Sequence, residues 1–181
     1  MDSCIGKSTG VHSIKVMSSS FYVYCDSTTF DSGWMVIFRS KKLSSGFDHD
    51  WNDYRKGFGD LHGEFFIGLD RLHLLTNSRN HELYVSTFEN STFARYSHFL
   101  ISGIDDDFQI KSLGKYSGNK FDIMIEYLNR KFITPDNQNS VIKTYCTRRI
   151  KLGWWLNSCS ASTEIDFLFS GALMMIKPTV D

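Results

Sequence analysis

Cys4, Cys25, Cys146 and Cys159 fall into two groups, one near each end of the chain. Four thiols allow three complete pairings, each of which would restrict the topologies open to the chain. Zinc would favour short Cys-x-x-Cys spacings with nearby histidines, whereas here the separations are 21 and 13 residues with no histidine beside either pair. Disulfides are therefore expected. Joining neighbours in sequence, Cys4 to Cys25 and Cys146 to Cys159, is the favoured connectivity among the three. Disulfides imply an oxidising, secretory or extracellular compartment, and Asn90-Ser91-Thr92 is a glycosylation sequon of the kind found there. Residues 1–20 contain no apolar stretch with a basic flank, so no signal peptide is visible.

A chain of 181 residues is long enough for one domain with a sizeable core. Its 20 basic and 20 acidic residues balance, leaving no net field to gather nucleic acid. No apolar run approaches the roughly 20 residues that span a bilayer, and a 15% aromatic content with two prolines argues against disorder.

The local patterns point to short elements. FYVYCD (21–26) and GWMVIFRS (33–40), separated by the turn-forming STTFDSG, predict a hairpin. HDWNDYRKGFG (49–59) predicts a short helix ending at glycine, and GEFFIGLDRLHLLTN (63–77) a strand followed by a helix capped by Asp70. HELYVSTFE (81–89), TFARYSHFLIS (92–102) and FQIKSLGKYSG (108–118) alternate as antiparallel strands do. Residues 130–146 predict a long loop, and DFLFSGALMMIKP (166–178) ends in a closing strand.

The order VYCD, GWMVIFR, WNDYRKGFGDLHGEFFIGLDRLHLLT, ELYV, FARYSHFLI, YSG and GWWLNSC resembles the fibrinogen C-terminal domain, the fibrinogen-related family that includes ficolins, tachylectins, tenascin ends and angiopoietins. The resemblance covers about residues 1–162. It implies an α+β domain with a central twisted antiparallel sheet flanked by short helices, two disulfides and a loop-rich C-terminal part. Approximate subdivisions of the single domain 1–181 are an N-terminal part (1–40), the central sheet (41–118) and a shortened calcium- and ligand-binding part (119–181). The family's cysteine pattern is similar to the local pairing, and its members are extracellular binding modules rather than enzymes.

The resemblance also carries site residues. A gapless count back from Cys146 places the family's calcium ligands at Asp136, Gln138, Ser140 and Ile142. Calcium takes six to eight oxygen ligands with carboxylates supplying the charge, so an amide at Gln138 implies weakened binding. Ligand-pocket positions fall at Ile150, Ser158, Cys159, Ser160 and Ala161, with Ser158-Cys159 at the family's cis peptide. Serine replaces the histidine that commonly follows this cysteine, and Ile150 replaces a tyrosine. The 22 residues after Cys159 are fewer than the family usually carries. The expected function is lectin-type binding of acetylated or anionic glycans, weakened by these changes. The alternatives are an extracellular protein-interaction or receptor-ligand module, and a shortened isoform without independent activity.

Other residues read more plainly. Trp154 and Trp155 are expected to pack over the neighbouring disulfide. His62 and His73 are expected to be structural, Asp105, Asp106 and Asp107 to form a solvated turn, and Arg148, Arg149 and Lys151 to form a wet basic surface. No G-x-S-x-G elbow accompanies the Ser, His and Asp residues, so no hydrolase is expected.

Overall fold

The computed structural model describes residues 1–42, 45–88, 92–119, 121–137, 151–156 and 171–180. The chain opens with β1 (Gly10–Val16), β2 (Ser19–Asp26) and β3 (Trp34–Arg39). β2 and β3 form the expected hairpin, with Tyr24 opposite Val36 and Asp26 opposite Trp34. Asp26 closes its turn by accepting from the amides of Thr28 and Thr29, at 2.9 and 2.8 Å, and from the Thr29 hydroxyl. Burial works against the charge of this carboxylate, yet the donors of Thr29 and Thr28 outweigh it and hold its pKa below the ordinary value. Cys4 and Cys25 are bonded, which pins the N-terminus to β2.

Next come α1 (Trp51–Lys56), β4 (Phe58–Gly59), β5 (Phe65–Phe66) and α2 (Leu69–Ser78). Asp50 caps α1 by accepting from the Asp53 amide, and Gly57 ends it with φ +92°. The expected Asp70 cap is corrected: Gly68 occupies the N-cap position, and Asp70 lies in the first turn, paired with Arg55 at 3.3 Å. Gly68 is needed there because a Cβ would come within 2.7 Å of the Gly57 nitrogen. The backbones at the end of α1 and the start of α2 are too close for any side chain.

The following segments give β6 (His81–Thr87), β7 (Thr92–Tyr96), β8 (Leu100–Ile101), β9 (Ile110–Ser112) and β10 (Tyr116–Gly118), and β11 (Ala172–Pro178) comes last. Each of the two later runs expected as one strand is thus broken into two. β8 and β9 pair in a small separate sheet, while the main sheet runs β1-β2-β3-β11-β6-β7-β10. The closing strand is central: β11 pairs with β3 on one side and with β6 on the other. The main sheet therefore takes strands from residues 1–40, 41–118 and 119–181 alike. β1 has no clear signal in the sequence, because only Ile14 and Val16 are buried in an otherwise polar strand.

A register shift between Met174 and Met175 leaves Ile37 without an opposite residue on β11. This bulge lets Ile37 and Phe38 both enter the main core, while Trp34 and Val36 lie in a second cluster. The main core receives Leu69, Leu72 and Leu75 of α2 and most of the aromatic rings. The second cluster is roofed by Phe30, stacked on Tyr84 at 5.0 Å, and by the Arg95 and Lys177 cations over Trp34. Both faces of the sheet are thus covered around β3.

Candidate functional site

The two indole-bearing positions ahead of Cys159 are described, and they are walls of the core. Trp154 and Trp155 are each 1% exposed. Burying about 200 Å2 of indole at about 25 cal/mol per Å2 stabilises the fold by up to about 5 kcal/mol for each ring, and it leaves no ring surface for a ligand. Trp154 meets Phe38 and Tyr127 edge-on, and Trp155 meets Phe132 edge-on while its Nε1 donates to the Phe108 carbonyl at 2.7 Å.

These contacts fix two short backbone segments side by side. Ile133 and Trp154 exchange both backbone hydrogen bonds at 3.0 Å, forming an antiparallel bridge. Tyr54 of α1 secures one of the two segments: its hydroxyl donates to the Phe47 carbonyl at 2.5 Å and accepts from the Gly153 amide at 3.0 Å. Burial raises the pKa of this phenol well above its usual value despite the Gly153 hydrogen bond. Gly153 admits the ring because a Cβ there would lie 2.8 Å from Tyr54.

Asp136 secures the other segment. Its Oδ1 accepts from the Trp51 amide at the start of α1, at 3.0 Å, and from the Thr134 hydroxyl at 2.7 Å. The resulting frame flanks residues 138–150 and 157–170 in sequence. Sequence reasoning did not identify Tyr54, Trp51 or Thr134 as its supports. A tyrosine three residues into a helix gives no sign that its hydroxyl serves residues about a hundred positions away.

Asp136 is the only one of the four calcium candidates among the described residues. Gln138, Ser140 and Ile142 lie outside them, as do Ile150, Ser158, Cys159, Ser160 and Ala161, the Cys146–Cys159 pairing and the Asn90 sequon. The test of calcium fit therefore rests on Asp136, whose Oδ1 is taken by two protein donors. Among the described residues, no three His, Cys, Asp or Glu side chains group together as a metal site.

His73 lies on α2 beside the Ile101 carbonyl, and His62 lies in a turn with its ring edge-on to Tyr24. Ile104–Asp106 forms a 3-10 turn, with Asp106 paired to Lys111 and Asp107 to Lys131. Lys151 is exposed, while Arg148 and Arg149 lie outside the described residues.

The family model for the C-terminal globular domain of the fibrinogen beta and gamma chains matches residues 5–174. The protein belongs to this fibrinogen C-terminal family. It is 36% identical over 146 residues to Ryncolin-4 of Cerberus rynchops, covering 79% of this protein and 42% of the relative. It is 35% identical over 156 residues to tenascin-R of Mus musculus, covering 83% and 11%. It thus spans less than half the length of these curated relatives. The fibrinogen-like globe domain of human ANGPTL2 superposes with a TM-score of 0.86 at 26% identity, covering 98% of this protein and 99% of that domain. A lamprey fibrin D-dimer complexed with the peptide Gly-His-Arg-Pro-amide shares the fold, with a TM-score of 0.77 at 23% identity, covering 96% and 70%. No helix among the described residues is long and apolar enough to cross a membrane.

Proposed function

We propose that the protein is an extracellular, non-enzymatic recognition domain that engages its ligand through the segments carried by the Ile133–Trp154 frame. The observation that supports this most directly is the frame itself. Buried indoles, the Tyr54 hydroxyl and the Asp136 carboxylate hold residues 133–137 and 151–156, which border residues 138–150 and 157–170 in sequence. A rigid scaffold carrying binding segments is how recognition folds lower the entropic cost of association. The membership of the fibrinogen C-terminal family and the similarity to Ryncolin-4 and tenascin-R support the same reading. Glycans, acetylated or anionic, are the proposed ligand class, and Ile150, Ser158, Cys159, Ser160 and Ala161 the proposed contacts. Calcium is assigned at most a weak supporting role at Asp136, Gln138, Ser140 and Ile142.

The test is binding of the oxidised protein to an array of acetylated and acidic glycans, with calcium and with chelator. The expected result is selective binding that persists in chelator. Absence of glycan binding under both conditions, from a protein that unfolds cooperatively, would overturn it. A second reading, capture of a protein segment, is favoured by the peptide held by the lamprey neighbour of the same fold. It predicts saturable binding of an extracellular polypeptide that glycans do not displace.

A further inference from the structure

β3 passes its outer edge from one partner to another. Its first residues pair with Tyr24, Cys25 and Asp26 of β2, and its last two, Phe38 and Arg39, pair with Phe66 and Phe65 of β5. Where the two partners diverge, a cleft of about 300 Å3 lies between β2 and the α1-β4 corner. Tyr22, Lys56, Arg71, Leu61 and the backbones of Gly57 and Gly59 line it. That volume is the lower end of the range of small-ligand sites, which suits a sugar unit or two.

The chemistry of the lining is one-sided. Two cations line the cleft and no carboxylate does. The nearest acidic candidate on α2, Asp70, is engaged by Arg55, and no ion pair joins Lys56 or Arg71 to a carboxylate among the described residues. Arg71 is held by its guanidinium, 4.9 Å over the Phe21 ring. A tyrosine ring stands beside them with 65% of its surface exposed, at Tyr22. A second groove, lined by Glu82, Arg95, Ser97, Lys115 and Ser117, differs in holding a carboxylate of its own, which pairs one of its two cations: Arg95 meets Glu82 at 2.7 Å.

We infer that this cleft is a binding site for an acidic saccharide, in which Lys56 and Arg71 take a sulfate or carboxylate group and the Tyr22 ring packs against the sugar's apolar face. The inference rests on the extracellular recognition reading, but its residues are separate from those of the framed segments. Charge-assisted contacts supply the anion preference. An exposed ring beside them fits a flat sugar better than an extended acidic peptide.

Amide NMR titration of the oxidised, 15N-labelled protein tests it, with sulfated lactose, digalacturonate, plain lactose and hexaglutamate as probes. Shifts at Gly57 and Gly59 are expected with the acidic sugars and weaken with added salt; response to only one of the two identifies the anion. Lys56→Ala and Arg71→Ala should each weaken binding about tenfold or more, with Lys56→Arg and Arg71→Lys retaining most of it and Lys115→Ala unchanged. Unchanged melting temperatures verify that the variants fold. No shift at these glycines with either acidic sugar, an equal response to plain lactose, or a response to hexaglutamate alone would overturn the inference. N-acetylglucosamine, titrated separately, reports on the framed segments, so either site can fail without the other.

Discussion

The Tyr54 hydroxyl is shared between the Phe47 carbonyl and the Gly153 amide, in a site with 1% exposure. Removing it by Tyr54→Phe leaves the buried Gly153 amide without this acceptor, while the Phe47 carbonyl keeps the His49 amide as a donor; an unsatisfied buried group costs about 1–3 kcal/mol. The expected loss is about 2 kcal/mol in urea unfolding, together with weakened ligand binding, since the frame loses one of its two ties to α1 and keeps only the Trp51–Asp136 bond. His81 carries a different signature. Burial lowers its pKa to about 4, against a hydrogen bond to the Arg79 carbonyl that acts in the opposite direction; Arg79 lowers it further and Asp2 raises it. The folded state thus prefers the neutral ring, so its stability is fully present above the unfolded value of about 6.5 and is lost as pH falls from there toward 4. That window corresponds to about 3 kcal/mol. Urea midpoints measured between pH 7 and pH 4 should fall steeply for the native protein and less for His81→Gln.

Among the elements, the junction of α1 with α2 depends on two glycines. Gly57 and Gly68 have φ of +92° and +102°, and a Cβ on Gly57 would meet the Ile67 oxygen at 2.5 Å. Gly68→Ala adds both a strained backbone and a collision with backbone atoms, so a loss above about 2 kcal/mol is expected. Calorimetry of the variant would show it, and a near-native melting temperature would refute the close approach. The β1-β2 element depends on its covalent tie. The Cys4–Cys25 bond closes a separation of 21 residues, for which the entropy of loop closure gives about 3 kcal/mol. The double substitution Cys4→Ala, Cys25→Ala should lose an amount of that order in denaturant titration. The helices and the hairpin were legible in sequence because their signals are local. Asp50 precedes Trp51, Gly57 follows Lys56, and apolar β2 and β3 flank turn residues. Asp70 misled because an acidic residue suits both a cap and a first turn. Only the close packing of Gly68 decided between them.

At the scale of the whole molecule, β11 completes the sheet from within. Ala172, Leu173, Met174, Met175 and Ile176 are all at most 4% exposed, and they separate β3 from β6. A protein lacking residues 171–181 loses hydrogen bonds on two strand edges and the centre of both apolar clusters. It is expected to show no cooperative unfolding transition by circular dichroism; a sharp transition would mean that β3 and β6 can close without it. Strand propensity marked residues 172–178 as β, but no property of ALMMIKP states which partners it takes. By itself the sequence marked most of the local elements, the family and the neutral charge balance, and it favoured the Cys4–Cys25 pairing, since each depends on residue type and spacing along the backbone. The tertiary structure alone decided that the last strand is central, that Tyr54 and Asp136 brace the frame, and that Lys56 and Arg71 share one cleft. Those outcomes depend on contacts between residues tens to more than a hundred positions apart, whose energies come from burial and geometry that no local pattern encodes.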